Sequence, residues 1–122
     1  MKTIFVIEPD QILGKAYSGA LEAKDRQIFV FRTANLAVRA LEKVIPDIVV
    51  IEIALPVHNG FEFLYEMLSY SDTRSTKVVI NSLIRPDDIP WGFINRGELN
   101  IIEHLYKPFS NISELARVVN GI

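Results

Sequence analysis

The feature that most constrains this chain is a single carboxylate placed directly after an apolar run. Residues 48–51 read IVVI, Glu52 follows them, and Pro56 then stops the strand. A continuous apolar run of this kind is typical of a strand covered on both faces, as in a parallel sheet. An ionised carboxylate in such a run is costly unless it lies at the strand end and has partners. Because ligands collect at the carboxyl ends of parallel strands, Glu52 is predicted to mark the functional site.

The rest of the chain repeats an alternation of strand-like and helix-like segments. The predicted strands are Thr3–Ile7, Gln27–Phe31, the run that ends at Glu52, Lys77–Leu83 and Ile101–Tyr106. Strand–helix alternation with short connections implies a parallel sheet covered by helices on both faces. We therefore predict an α/β fold, a doubly wound (βα)5 three-layer sandwich with a five-stranded parallel sheet, and a single domain over residues 1–122.

Helix boundaries are signalled by capping residues, except in the fourth connection. Asp10 is placed to cap the first helix, and Asn111 and Glu114 are spaced as a capping pair at the start of the last. The segment Arg85–Pro90 contains two prolines and is predicted to be a loop. A short fourth helix is predicted over Trp91–Arg96.

Composition excludes several classes of function. The chain has 122 residues, with 13 lysines and arginines against 15 aspartates and glutamates, and it has no cysteine. The net charge of −2 offers no general attraction to nucleic acid or to an anionic membrane, and no basic recognition helix is present. No segment is apolar for long enough to span a bilayer, so a cytoplasmic protein is expected. Whether an output domain follows residue 122 is left open.

Polar residues follow four of the predicted strands. Glu8 and Asp10 come after the first strand, Glu52 lies at the end of the third, Ser82 lies near the end of the fourth and Lys107 follows the fifth. The carboxyl ends of parallel strands share one edge of the sheet, so these residues are expected to converge. Carboxylates hold divalent metals, while a hydroxyl and an ammonium hold phosphate oxygens. The set therefore predicts a site with phosphoryl-binding chemistry.

In order and spacing the chain resembles, over its whole length, the receiver domains of two-component response regulators. The matching positions are Glu8, Leu55-Pro56, Asn59-Gly60, Ser82 and Lys107-Pro108-Phe109. In such domains an aspartate at the third strand takes a phosphoryl group from a histidine kinase, an acid pair holds Mg²⁺, and a hydroxyl residue and a lysine sense the phosphoryl oxygens. The resemblance also implies a flavodoxin-like sheet with strand order 2-1-3-4-5, and an aromatic switch residue three places before the lysine.

Three functional positions of that family hold different residues in this chain. Glu52 stands at the phosphoacceptor position, and its extra methylene moves the carboxylate by about 1.5 Å, where an error of ~1 Å can cost roughly a hundredfold in rate. Pro9 replaces the second acid and offers no ligand to a metal, while Asp10 is displaced by one residue and is predicted to be a cap. His104 occupies the switch position.

These departures favour a pseudo-receiver, a protein-interaction module that works without phosphorylation and is not an enzyme. Glu52 is expected to pair with Lys107, either as a structural carboxylate or as a partial imitation of an aspartyl phosphate. Glu8 is expected to remain as a surface acid with no ion to hold. No cofactor is expected, although weak Mg²⁺ binding is left open. The alternative is a working receiver in a phosphorelay that accepts phosphoryl from a histidine kinase with Mg²⁺.

Other chemistries fit the residues less well. A flavodoxin-like redox or nucleotide protein needs a Gly-, Ser- or Thr-rich loop after the first strand, and the acids of residues 8–11, EPDQ, would repel phosphate. A simpler role for Ser82 is a hydrogen bond to the backbone at the end of a strand. His104 is expected to be a half-buried ring rather than a pH sensor. His58 has no second histidine at ligand spacing, which makes a zinc site improbable.

One surface is predicted to carry an interaction. It comprises residues near the predicted fourth helix and on the fifth strand: Trp91, Phe93, Ile94, Ile101 and Ile102. The resemblance makes the face of the fourth helix, fifth strand and last helix the usual partner surface, for a histidine kinase, an output domain or a second copy of the chain. The alternative is that these side chains pack inward.

Overall fold

The computed structural model describes residues 1–55, 59–92, 94 and 96–122. These described residues form five parallel strands, and the sheet order is β2-β1-β3-β4-β5, as predicted. The strands are β1 Lys2–Ile7, β2 Arg26–Phe31, β3 Ile48–Ile51, β4 Lys77–Ser82 and β5 Asn100–Tyr106. The helices are α1 Gln11–Leu21, α2 Ala34–Leu41, α3 Gly60–Ser69 and α4 Ile112–Asn120. Among the described residues, none of these helices is long and apolar enough to cross a membrane.

The helices form two layers because alternate residues of the central strands point to opposite faces. On one face, Ile4 and Val6 of β1 pack with Leu21 of α1 and Leu115 of α4. The other face of the sheet packs against α2 and α3, around Phe5, Ile51 and Phe63. The predicted three-layer arrangement is therefore observed.

Capping side chains fix where the helices begin. Asp10 accepts hydrogen bonds from the amides of Ile12 and Leu13, and Asn111 accepts one from the amide of Glu114. Both caps were predicted. They turn the chain sharply after the end of a strand, which keeps the strand ends at one edge of the molecule.

The predicted fourth helix is wrong, and the described part of the chain contains four α-helices instead of five. The connection from β4 to β5 carries two short 3₁₀ turns, at Pro86–Asp88 and Arg96–Glu98. Prolines lack the amide hydrogen that a helix needs, and Gly92 has a φ of +57°, in the left-handed region that ends right-handed helices. The connection covers the α2/α3 face of the sheet with Ile89 and Leu99, which are buried there.

Three residues of the predicted interaction surface, Trp91, Ile94 and Ile101, are half-buried against the core. Trp91 lies against the ring of Phe61 at a centroid distance of 5.6 Å, and Ile94 and Ile101 also pack on the core. Of the five residues, Phe93 lies outside the described residues, as do Pro56 and His58 of the loop before α3. Only Ile102 among the described members is exposed, at 44%. The other three described residues pack partly inward, which lies between the prediction and its alternative.

A β-bulge in β5 sets the register of the site. Val78 pairs with Ile101 but Val79 pairs with Glu103, so Ile102 is the extra residue. A one-residue insertion reverses which face each later side chain points to. As a result His104 lies beside Ile80, and the side chain at 105 joins the core on the α1/α4 face.

Gly60 allows α3 to begin directly against the strand end that carries Glu52. A Cβ at this position would lie 2.9 Å from the carbonyl oxygen of Glu52 and 2.9 Å from the Cα of Ile53. Both atoms belong to the backbone, so neither can move aside cheaply. We expect Gly60→Ala to lower the free energy of unfolding by about 1–3 kcal/mol, measured by urea denaturation.

Gly19 provides the matched control in the same chain. It lies on an exposed part of α1, and a Cβ there would meet no atom within 4 Å. Gly19→Ala is expected to raise the free energy of unfolding by about 0.5–1 kcal/mol, because glycine is a poor helix former. Equal effects of the two substitutions would contradict the close approach at Gly60.

Candidate functional site

The carboxyl ends of β1, β3, β4 and β5 bring four of the predicted polar residues together. Glu8 and Glu52 follow Ile7 and Ile51, which are register partners in adjacent strands. Ser82 ends β4 and accepts, through its backbone carbonyl, the amide of Lys107 at 2.9 Å. The side chains of Glu8, Glu52, Ser82 and Lys107 then form one connected set of contacts.

Lys107 binds both carboxylates at once. Its Nζ lies 2.6 Å from Oε1 of Glu8 and 2.8 Å from Oε1 of Glu52. The side chains are 11%, 3% and 1% exposed for Lys107, Glu8 and Glu52 respectively. The expectation that Glu8 would remain a surface acid is therefore wrong. It is buried, and it pairs with the ammonium of Lys107.

The carboxylate of Glu52 has its hydrogen-bonding capacity filled. Oε1 accepts from Lys107 and from the amide of Leu83 at 3.0 Å. Oε2 accepts from the hydroxyl of Ser82 and from the amide of Ala54 at 3.0 Å. A carboxylate offers about four acceptor positions, so no position is left over for a further donor. Four donors also offset the cost of burying this charge.

Ser82 extends this set toward β5. Its hydroxyl oxygen accepts the amide of Ile84 at 3.0 Å, and the carbonyl oxygen of Ile84 lies 3.0 Å from Nε2 of His104. His104 is half-buried, as expected. The segment after β4 is thus held at successive residues, by Glu52 at Leu83 and by Ser82 and His104 at Ile84.

The positions at which the resemblance implies a metal site do not fit Mg²⁺ here. Pro9 supplies no carboxylate, and the Asp10 carboxylate is used as the cap of α1. The carboxylates of Glu8 and Glu52 converge on Lys107. Magnesium needs near-octahedral oxygen ligands. Among the described residues, no group of three or more metal-binding side chains is placed to hold a metal.

Burial and charge act on Lys107 in opposite directions. Burial lowers the pKa of the Lys107 ammonium, but the hydrogen bonds and charges of Glu52 and Glu8 outweigh it, and the pKa is raised above its ordinary value. Tyr17, on the α1 side, also has a raised pKa, chiefly because of burial and against the effect of its hydrogen bond with Asn81. Both groups therefore bind their protons more tightly in the folded state.

Several members of the site were not found from the sequence. Two donors to Glu52 are backbone amides, of Ala54 and Leu83, and every residue except proline offers such a group. The position of Asn81 beside Tyr17 had a signal, since an asparagine inside the buried run of β4 needs a partner. Ser82 bonds both to the backbone and to Glu52, so its two predicted uses coexist.

Comparison with known proteins finds similar structures but no match from the sequence. No family model matches the sequence, and no curated protein matches it. The chemotaxis response regulator CheY4 of Vibrio cholerae is 17% identical with a TM-score of 0.79, over 99% of this chain and 98% of that one. A CheY-like receiver domain from Methylobacillus flagellatus is 19% identical with a TM-score of 0.77, over 99% and 98%.

The manganese-bound form of the response regulator Rcp1 is also similar, at 23% identity and a TM-score of 0.75, over 100% of this chain and 91% of that one. The chain therefore has the CheY-like fold of response-regulator receiver domains. The alignments cover nearly the whole of each chain, so the strand-end site described above lies on the shared fold.

The raised pKa of Lys107 predicts a loss of stability in alkali. Because the folded-state pKa exceeds the ordinary value of 10.5, the contribution of Lys107 is fully present below that pH and is lost as pH rises through the folded-state value. We expect Lys107→Met to lower the free energy of unfolding at neutral pH by about 3–5 kcal/mol. The free energy of unfolding of the Lys107→Met variant should also fall less steeply above about pH 10 than that of the wild type. Urea denaturation over this pH range measures both.

Exposed Lys24 provides the control, since Lys24→Met removes the same charge without touching the site. The alkaline slope of this variant should equal that of the wild type. All three proteins are compared in a Tyr17→Phe background, because the Lys107 ammonium lowers the Tyr17 pKa and its removal would otherwise change the contribution of Tyr17. A Lys107→Met protein with the wild-type slope would contradict the assignment.

Proposed function

We propose that this protein is a pseudo-receiver, a signalling module that binds a protein partner without being phosphorylated and that is not an enzyme. The observation that carries the proposal is the filled carboxylate of Glu52, which accepts from Lys107, Leu83, Ser82 and Ala54. A phosphoacceptor must attack phosphorus with a free oxygen lone pair. Glu52 has none to spare unless the site opens.

The donors to Glu52 explain why a carboxylate is held there. By the resemblance, the hydroxyl residue and the lysine are the two groups that sense phosphoryl oxygens. In this chain Ser82 and Lys107 bind the oxygens of Glu52 itself. One carboxylate carries about −1 where a phosphoryl group carries about −1.5 to −2. Glu8 brings a second carboxylate to the same ammonium, which makes up part of the difference.

The segment after β4 is accordingly held in one arrangement. Ile84 is tied to Ser82 and to His104, so the closed site is linked directly to the strand that carries His104. In the proposed function this arrangement is permanent, and binding to the partner does not wait for a kinase.

The proposed partner is a protein that contacts β5 and α4, where Ile102 is exposed. A kinase, an output domain and a second copy of the chain are the candidate classes. The solved structures with this fold include response regulators and receiver domains, which supports a signalling role. Neither nucleic acid nor membrane is proposed as a partner of this domain, in keeping with the net charge of −2.

The proposal predicts that acetyl phosphate with Mg²⁺ leaves no phosphoryl group on the wild-type protein. The measurement is intact-protein mass spectrometry at matched times. The matched positive variant is Pro9→Asp, Glu52→Asp, which restores both family acids and is expected to gain a phosphoryl group. The single variant Glu52→Asp is expected to gain less, because the second acid is still missing.

The alternative of a working receiver has a clear signature in the same experiment. A phosphoryl group on the wild-type protein that disappears in Glu52→Gln would overturn the proposal and establish Glu52 as an acceptor. A phosphoryl group that persists in Glu52→Gln would mark a different residue.

The proposal also predicts that Glu52 holds the segment after β4 closed. In Glu52→Gln an amide nitrogen replaces an oxygen that accepts two hydrogen bonds, so two of the four present donors lose their acceptor. We expect the free energy of unfolding to fall by about 2–4 kcal/mol. Hydrogen exchange at the Leu83 and Ile84 amides should accelerate by about tenfold or more.

Glu103→Gln is the control, because Glu103 is an exposed glutamate on β5. It should leave both the stability and the exchange of Leu83 nearly unchanged. Unchanged exchange in Glu52→Gln would show that the segment does not depend on Glu52, and the imitation of a phosphoryl group would be rejected.

A further inference from the structure

We infer that the ammonium of Lys107 is the resident cation of the carboxylate pair Glu8–Glu52, and that it excludes a divalent metal from this site. The inference deepens the proposed function and rests on it, since a module that works without phosphorylation has no need of a metal.

The geometry places one cation between two anions. Nζ of Lys107 contacts Oε1 of Glu8 at 2.6 Å and Oε1 of Glu52 at 2.8 Å. Both carboxylates are almost fully buried, and a buried carboxylate without a counter-ion is strongly disfavoured. The same two oxygens cannot hold the ammonium and a divalent ion together, because the two cations would repel each other at contact distance.

The two carboxylates are oriented by groups other than Lys107. Oε2 of Glu8 accepts the amide of Asp10 at 3.0 Å, and Oε2 of Glu52 accepts the amide of Ala54 at 3.0 Å. These backbone donors remain when the lysine side chain is removed. Each Oε1 would then still point to the position that Nζ occupies.

Two carboxylate oxygens and water are a sufficient ligand set for a small divalent ion. Magnesium is commonly bound through one or two carboxylates and keeps several waters, and Mn²⁺ prefers the same oxygen ligands. Removal of Lys107 changes the local charge from −1 to −2, by the count of two carboxylates and one ammonium. Glu8 and Glu52 therefore form a pair of metal-binding carboxylates whose binding position is filled by the ammonium of Lys107.

The test uses Mn²⁺ alone as the probe, with free Mn²⁺ followed by electron paramagnetic resonance on the full chain. The wild type is expected to bind no Mn²⁺ that depends on Glu8. Lys107→Met is expected to bind Mn²⁺ at least about tenfold more tightly than the wild type. Adding Glu8→Gln to Lys107→Met should abolish that gain.

Two controls separate the site from general charge effects. Lys24→Met removes an exposed lysine and should not gain Mn²⁺ affinity, and Lys107→Arg keeps the cation and should not gain it either. Gain in Lys24→Met equal to that in Lys107→Met would overturn the inference. Wild-type Mn²⁺ binding that is lost in Glu8→Gln would also overturn it, since the metal and the lysine would then coexist.

A folding defect does not remove the test. If Lys107→Met is unfolded in metal-free buffer, the inference requires that Mn²⁺ refold it, because ligands that bind only the native state stabilise that state. A variant that stays unfolded with Mn²⁺ present counts against the inference. Failure here leaves the proposed function standing, since that is decided separately by phosphoryl transfer to the wild-type protein.

Discussion

The contact on which the site depends is the ammonium of Lys107 held between two buried carboxylates. It joins three strands that are distant in the sequence, since Glu8 follows β1, Glu52 follows β3 and Lys107 follows the edge strand β5. Without this partner the two buried carboxylates would have no counter-ion, which is strongly destabilising. The strands of the packed sheet place the charged side chains next to one another. The ion pairs in turn hold the strand ends at fixed distances.

The edge strand β5 and the connection that precedes it are irregular. No α-helix packs between β4 and β5 among the described residues, and the bulge at Ile102 corrects the alternation of side chains before the site is reached. Bulges are commonly found at sheet edges and beside functional sites, where they re-aim a side chain. Here the bulge places His104 on the side of Ile80, within reach of the Ile84 carbonyl.

The parts of the structure that the sequence predicted are those with local or periodic signals. Apolar runs located the strands, and Asp10 and Asn111 signalled the caps that the structure has. The burial of Glu8 was missed because it depends on a lysine 99 positions away. The bulge at Ile102 and the backbone amides that bind Glu52 do not require particular residue types, so the sequence does not signal them. The helix predicted over residues 91–96 fails at Gly92, where a left-handed φ outweighs the apolar spacing.

The altered positions are consistent with one another in physical terms. A glutamate at position 52 carries its carboxylate about 1.5 Å beyond that of an aspartate, and here that carboxylate reaches Ser82 and Lys107 directly. An aspartate would end short of these donors and leave the gap that a phosphoryl group fills in the proposed family. In the proposed function the gap is closed from within and there is no phosphoryl charge for a metal to neutralise, so the absence of a ligand at Pro9 carries no penalty. Asp10 is then free to serve α1 as its cap, and Lys107 becomes the counter-ion that the two remaining acids require.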